Sequence, residues 1–242
     1  MQTSALIKLT VATLIGLAIL VGLGVWQLER LAWKEALIAR VEARTERKPF
    51  TLPQAIELAG EGRNMEYYPV SAEGRFHHAR ERYLYALSPD GELGWHVITP
   101  LETVKGTVVL VDRGFVPDAL RDPTTRKAGQ LQEVVTVTGL VRAPEEPSLF
   151  VPDNDPEANQ WFTRDLSAMA RSMFPGGTVD VAPFFLEQQA SDVPGGWPKG
   201  GQTRVTFPND HLQYALTWFG LALCLVVIYA VYVWGAYRGK RS

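Results

Sequence analysis

Residues 9–28 read LTVATLIGLAILVGLGVWQL, a run of 20 residues without a charged side chain. At about 1.5 Å per residue, a helix of this length spans roughly 30 Å, the thickness of one hydrocarbon core. A cleaved signal peptide is disfavoured, because the run is long for such a peptide and no small-x-small cleavage site precedes Trp26. We therefore predict a transmembrane helix over residues 9–28.

A second apolar stretch lies near the other end of the chain, at residues 212–237. It contains 26 residues without a charge, and its aromatic side chains cluster towards its two ends. That clustering is typical of a membrane-spanning helix, and the length requires tilt or protrusion from the bilayer. The predicted organisation is a tail at 1–8, a span at 9–28, a domain at 29–210, a span at 211–237 and a tail at 238–242.

The charged residues concentrate between the two spans. Of the 24 basic residues, 20 lie between Glu29 and Asp210, together with all 26 acidic residues. This mildly acidic domain lacks the basic surface that nucleic acid requires, so we expect no nucleic-acid partner. The single cysteine, Cys224, excludes a disulfide framework. Basic residues follow both spans, so charge alone leaves the orientation in the membrane open.

The domain between the spans is predicted to be β-rich. Alternating or β-branched segments predict strands, and turn residues separate them. The predicted strands are 82–87, 95–101, 108–111, 134–141, 184–186 and 204–207. One helix is predicted over 166–174, and the first span is expected to continue as a helix to Pro49. The expected fold class is a membrane protein with two transmembrane α-helices flanking a β-rich α+β domain, either an antiparallel sheet or a small barrel.

The sequence contains no constellation of catalytic residues. We find no nucleotide-binding loop, zinc pattern or nucleophile elbow, so we expect that the protein is not an enzyme. His77 and His78 are expected to be solvated loop residues, and His96 is expected to have a structural partner. The Gly-x-Gly of Gly22 and Gly24 indicates close helix packing at most.

His211 differs from the other histidines because it stands where the polar domain meets the second span. Asn209 is a plausible N-cap, which would place His211 in the first helical turn, with Tyr214 and Trp218 on the same face. One interpretation is an interfacial histidine that bonds headgroups or loop backbone. The other is a ligand for an amphiphilic metal cofactor. The residues alone favour the first interpretation.

Several motifs follow one another along nearly the whole chain. They are GVWQLER at 24–30 followed by WK at 33–34, GRF at 74–76, GWHVITPL at 94–101, VDRGFVP at 111–117, GLVR at 139–142 and NDHLQYALTWF at 209–219. Together, in this order, they resemble the surfeit locus protein 1 family. Members of this family are assembly factors for cytochrome c oxidase. The segment 153–160 does not align clearly with the family pattern.

The resemblance implies a chaperone that binds haem a during the assembly of respiratory complex IV, which is cytochrome c oxidase. The implied partner proteins are oxidase subunit I and haem a synthase. The resemblance also implies termini on the cytoplasmic side, hence a multi-pass protein of the bacterial plasma membrane with its main domain in the periplasm. The short N-terminus and the lack of an Arg- and Ser-rich leader favour a bacterial member. His211 matches the family's proposed haem ligand, and Tyr214, Trp218 and Arg204 are the expected cofactor-binding neighbours. The alternative is a membrane scaffold that stabilises an oxidase intermediate without binding haem.

Overall fold

Helices occupy both ends of the chain, and strands dominate the region between them. The computed structural model describes residues 3–88, 90–146, 148–177, 179–202 and 209–238. In this part of the chain the α-helices are α1 (Thr3–Thr45), α2 (Leu52–Gly60), α3 (Leu166–Met173) and α4 (His211–Arg238). The strands are β1 (Phe50–Thr51), β2 (Pro69–Phe76), β3 (Arg82–Leu87), β4 (Leu93–Glu102), β5 (Val108–Pro117), β6 (Val135–Arg142) and β7 (Val181–Gln188).

The two end helices are long and apolar enough to cross a membrane, over Leu6–Thr45 and His211–Ala236. By their contacts, the residues fall into two compact units. One contains α1 up to Arg40 together with α4, and the other begins at Val41 and contains the strands. The predicted fold class, two apolar helices flanking a β-rich domain, is confirmed.

Helices α1 and α4 pack against each other in opposite directions. Thr10 near the start of α1 meets Tyr229 of α4, with 2.7 Å between the two hydroxyl oxygens. A Cβ on Gly24 would lie 2.6 Å from the Phe219 ring, so only glycine permits this close approach. Gly22 has no such neighbour, and therefore only Gly24 fulfils the packing role predicted for this pair.

Five strands close into a barrel, in the order β2-β6-β7-β5-β4, with β4 returning to β2. The closing pairs are Arg75 with Glu102 and Phe76 with Leu101. Strand β1 extends β2 in parallel and β3 extends β4 in antiparallel fashion, while β5 and β7 are parallel. The prediction of a mostly antiparallel sheet or small barrel is therefore confirmed, with the barrel as the outcome.

Strand β5 is buried on both faces, as expected of the continuous apolar run at 108–111. Val109 and Val111 join a core inside the barrel that α2 covers with Leu52. Val108 and Leu110 point the other way, into a second core that contains Trp161 and residues of α3. Helix α3 is capped by Asp165, whose side chain accepts from the Ala168 N–H at 2.9 Å.

Three elements of the domain, β1, α2 and β2, were not predicted. Strand β2 alternates buried Val70, Ala72 and Phe76 with more exposed residues, but small side chains at alternate positions hide this pattern in the sequence. Helix α2 has a sequence signal, because Gln54 Oε1 accepts from the Thr51 N–H at 3.1 Å as in a capping box. The strand predicted over 204–207 lies outside the described residues.

Candidate functional site

His211 is the first residue of α4. The backbone N–H of Tyr214 donates to the carbonyl of Asp210 at 3.2 Å, the first turn bond of this helix. Asp210 is therefore the N-cap residue, and the assignment of that role to Asn209 is wrong by one position. The prediction that His211 lies in the first helical turn is confirmed.

The side chain of His211 bonds a residue of the other end helix. Its Nδ1 lies 2.7 Å from Oε1 of Gln27 on α1. An amide oxygen only accepts, so Nδ1 must carry the proton of this bond. In neutral imidazole the proton is then fixed on Nδ1, and Nε2 keeps its lone pair. Among the residues described, nothing hydrogen-bonds Nε2.

Gln27 reaches His211 because of the spacing along α1. The partly or fully buried positions Gly24, Gln27 and Leu31 recur at alternating steps of three and four, which is the seam of two packed helices. Ala215 and Ala222 are buried on the facing side of α4. One polar pair at each end of this seam, Gln27–His211 and Thr10–Tyr229, holds the two helices in one register.

The predicted neighbours of His211 have different surroundings. Trp218 is partly buried, whereas Tyr214 is 56% exposed. Helical spacing puts both on the side of α4 that carries His211. Arg204 lies outside the described residues, so the cofactor-binding role that the sequence suggests for it stays a prediction.

Apolar side chains are exposed near His211 on both helices. On α4 these are Leu212 and Leu216, with Leu216 65% exposed, and on α1 they are Trp26 and Leu28. These side chains face outwards from the helix pair, as expected of helices that contact lipid.

The other three histidines lie in the barrel domain, and each has a partner. His77 Nε2 lies 2.5 Å from Glu102 Oε2, and His96 Nδ1 lies 2.7 Å from Asp112 Oδ2. The structural partner predicted for His96 is thus confirmed. His78 is buried and its Nε2 bonds the Leu131 carbonyl at 2.8 Å, so the prediction of a solvated His78 is wrong.

Buried charges form what we term the Glu81 cluster, which consists of His78, Glu81, Arg113 and Arg126. Arg126 Nη2 donates to Glu81 Oε2 at 2.5 Å, while Arg113 stays 3.6 Å from Glu81. Burial would raise the pKa of Glu81, but hydrogen bonds from His78 and Arg126 and the nearby guanidinium charges lower it overall. Burial lowers the pKa of Arg113 to about 10.

Asp112 and Arg113, adjacent residues of opposite charge, are both buried. They do not pair with each other. Asp112 bonds His96 and accepts from the Gly114 N–H at 3.0 Å, whereas Arg113 belongs to the Glu81 cluster. Gly114 has a φ of +112°, and a Cβ there would clash with the Lys199 carbonyl, so this position requires glycine.

Gln27 is the residue of the site that sequence reasoning missed. It was visible as part of the motif at 24–30 and as a polar residue at the end of an apolar span. A polar residue at a seam position of a membrane helix calls for an interhelical partner, and this signal could have identified it.

Comparisons with known proteins give one family. The SURF1 family profile matches residues 14–223. Surfeit locus protein 1 of Homo sapiens is 42% identical over 219 residues, which cover 83% of this chain and 69% of the human protein. The Mus musculus protein of that name is 40% identical over 216 residues, at 83% and 67%. A SURF1-like protein of Drosophila melanogaster is 36% identical over 224 residues, at 83% and 69%.

Proposed function

The chain belongs to the SURF1 family, and on that premise we propose that it is an assembly factor for cytochrome c oxidase that binds haem a and passes it to subunit I. It works in the plasma membrane of a bacterium, with its barrel domain in the periplasm and haem a synthase as the donor of the cargo. The protein carries the haem and performs no chemistry on it.

The bond between His211 and Gln27 is the observation that carries this proposal. A histidine that ligates iron usually donates its other ring N–H to a carboxylate, a carbonyl or water. That partner fixes the tautomer and the orientation of the ring. Gln27 does this for His211 through Nδ1, so that Nε2 is the ligand atom on offer.

A single histidine suits haem better than a free metal ion. In the described parts of the chain, no group of three or more His, Cys, Asp or Glu side chains could hold an ion. A metal held through His211 must therefore bring its other ligands, as the iron of a porphyrin does. His211 would hold haem a through Nε2, and the haem would bring the remaining ligands of its iron.

The place of His211 on α4 fits the shape of haem a, whose ring is polar at one edge and whose tail is long and apolar. Counting about 20 residues of hydrocarbon core back from Arg238 leaves His211 roughly 10 Å above the core if the helix is upright. Tilt lowers it to the headgroups. A ring held there has its tail in lipid, beside Leu212 and Leu216, with Tyr214 and Trp218 as flanking aromatic groups.

Haem content tests the proposal. The full chain is purified in detergent from cells that make haem a, and its absorption spectrum is recorded together with that of two variants. His211→Ala should lose most of the bound haem, since it removes the ring nitrogen that would hold the iron. His77→Ala, which removes a partly exposed histidine of the barrel, should retain it. Equal haem content in wild type and His211→Ala would refute the ligand assignment.

A scaffold that binds no haem is the second candidate, and one observation favours it. Leu149 and Phe150 lie side by side in a loop of the barrel domain and are 99% and 96% exposed. Such an apolar pair is costly in water and typical of a contact surface. Co-purification of subunit I with a haem-free protein, from cells that make haem a, would favour the scaffold.

A further inference from the structure

A cleft of about 430 Å³ opens in the barrel domain where β6 and β7 stop pairing. The ladder runs from Arg142–Phe185 to Gly139–Gln188, and one more bond joins the Gln189 N–H to the Thr138 carbonyl at 3.0 Å. Beyond that bond, residues 190–193 turn away from β6. Phe76, Val137 and Val193 give the cleft apolar walls, and Arg113 lies among them.

Arg113 reaches this cleft with a donor that has no acceptor. The side chain is 2% exposed, and its Nη2 donates to the Gly129 carbonyl at 2.6 Å. Its Nε has no hydrogen-bond partner in the part of the chain that the structure describes. The guanidinium carbon lies 4.8 Å from the centroid of the Phe76 ring. A buried donor without an acceptor is uncommon and is open to an acceptor from outside the chain.

The charge around Arg113 is unbalanced. Two guanidinium groups, those of Arg113 and Arg126, share the single carboxylate of Glu81, which bonds Arg126. A buried charge is costly unless it is paired, so an added carboxylate would be favourable at Arg113. Asp192 is the acidic residue at the cleft, but it is exposed at the rim, where solvent and salt screen it.

The same cleft contains an orphaned acceptor and an unpaired strand edge. Gln188 Oε1 is buried with no partner among the described residues. The backbone groups of a strand alternate in direction, so Thr136 points its N–H and C=O to the same side as Thr138. No described backbone group pairs with Thr136 on that side. An edge of this kind is a template for an added strand.

We propose that this cleft binds an extended peptide segment of a partner protein, which pairs with the β6 edge at Thr136 and directs one carboxylate side chain to Nε of Arg113. Side chains of a strand alternate between its two faces, so a single acidic residue enters the barrel mouth while its neighbours point outwards. A backbone or side-chain N–H of the segment donates a hydrogen bond to Oε1 of Gln188.

A random heptapeptide library displayed on phage, selected on the detergent-purified full chain, identifies such segments. We expect selected peptides to share one Asp or Glu flanked by β-branched residues. The best peptide is then labelled, and its binding is measured by fluorescence anisotropy. Replacing its acidic residue with the amide should weaken binding about tenfold or more, because a charge-assisted bond is lost. No enrichment of acidic peptides, or equal binding of the amide peptide, would overturn the proposal.

Variants of the protein separate the strand edge from the charge. Thr136→Pro removes an edge N–H that makes no internal bond, and Thr136→Ala keeps that N–H as the matched control. Arg113→Lys keeps the buried charge but lacks Nε. Thr136→Pro and Arg113→Lys should each weaken the peptide about tenfold or more, and Thr136→Ala should not.

If Arg113→Lys fails to fold, two further variants and one competitor still test whether the peptide binds in the cleft. Gln188→Leu removes the orphaned acceptor, together with the 2.8 Å bond from Nε2 to Ser191 Oγ, so it should weaken the peptide. Gln189→Leu, next in sequence, serves as its control. Free glutarate should compete poorly, and competition equal to that of the peptide would show that the strand edge plays no part. All measurements use haem-free protein, so their outcome is independent of haem binding at His211.

Discussion

Replacing Gln27 with leucine should weaken the binding of haem a about 10- to 100-fold, the usual effect of losing the partner of a ligating histidine. Leucine is close to glutamine in size, so the packing of α1 on α4 is kept while the 2.7 Å bond to His211 is lost. The factor corresponds to about 1.4–2.7 kcal/mol. This exceeds the roughly 0.5–1.5 kcal/mol of an ordinary neutral hydrogen bond, because the freed ring can also adopt the unproductive tautomer.

A matched control lies at the other end of the same helix pair. Tyr229→Phe removes the 2.7 Å bond to Thr10, which is 17 residues from Gln27, or about 26 Å along α1. Like Gln27→Leu, this variant removes one 2.7 Å polar bond between the two helices, but it leaves His211 untouched. Gln27→Glu provides the opposite change, since a carboxylate accepts more strongly and should lower the reduction potential of the bound iron.

The assay is a titration of detergent-purified, haem-free protein with haem a, followed by absorbance, with a redox titration of the loaded protein. We expect weaker binding for Gln27→Leu, near wild-type binding for Tyr229→Phe and a lower potential for Gln27→Glu. Wild-type affinity in Gln27→Leu would refute the role of Gln27. An equal loss in Tyr229→Phe would show that the helix packing matters and the histidine tautomer does not.

Two predictions concern the barrel domain. Glu81→Gln should lower the free energy of unfolding by about 3–5 kcal/mol, because it leaves Arg126 buried without its carboxylate. Denaturant unfolding measures this loss. The control is Glu145→Gln, which removes the exposed carboxylate that pairs with Arg164 and should lower the free energy of unfolding by less than about 1 kcal/mol. The second prediction concerns pH. Burial lowers the pKa of His96, but the charge of Asp112 outweighs it and raises that pKa above the unfolded value of about 6.5. The stability contributed by protonated His96 is therefore complete below about pH 6.5 and is lost as pH rises through the raised pKa. Asp112→Asn should flatten this decline in the thermal midpoint between mildly acidic and alkaline pH, and an unchanged decline would contradict the assignment.

Much of the architecture was predictable because it depends on local pattern. The two spans were predicted from runs without charge. Strand β5 was predicted from a continuous apolar run, which is typical of a strand that is buried on both faces. His211 could be singled out from its position at the start of a span. Strand β2 was missed because Ala72 and Gly74 carry little of the hydrophobic alternation that marks a strand.

The partners of the polar groups were not predictable, because they come together from distant parts of the chain. Gln27 and His211 are 184 positions apart, and only the pairing of α1 with α4 makes them neighbours. Arg113 and Asp112 are adjacent in sequence, yet strand alternation sends the two side chains to opposite faces, where each finds a different buried partner. Local sequence determined the helices, most of the strands and the candidate ligand, since hydrophobic periodicity is a property of neighbours. Tertiary structure alone decided that Nδ1 of His211 meets Gln27 and that, among the described residues, Arg113 and Arg126 share the one carboxylate of Glu81, since hydrogen bonding and burial depend on what the fold brings within about 3 Å.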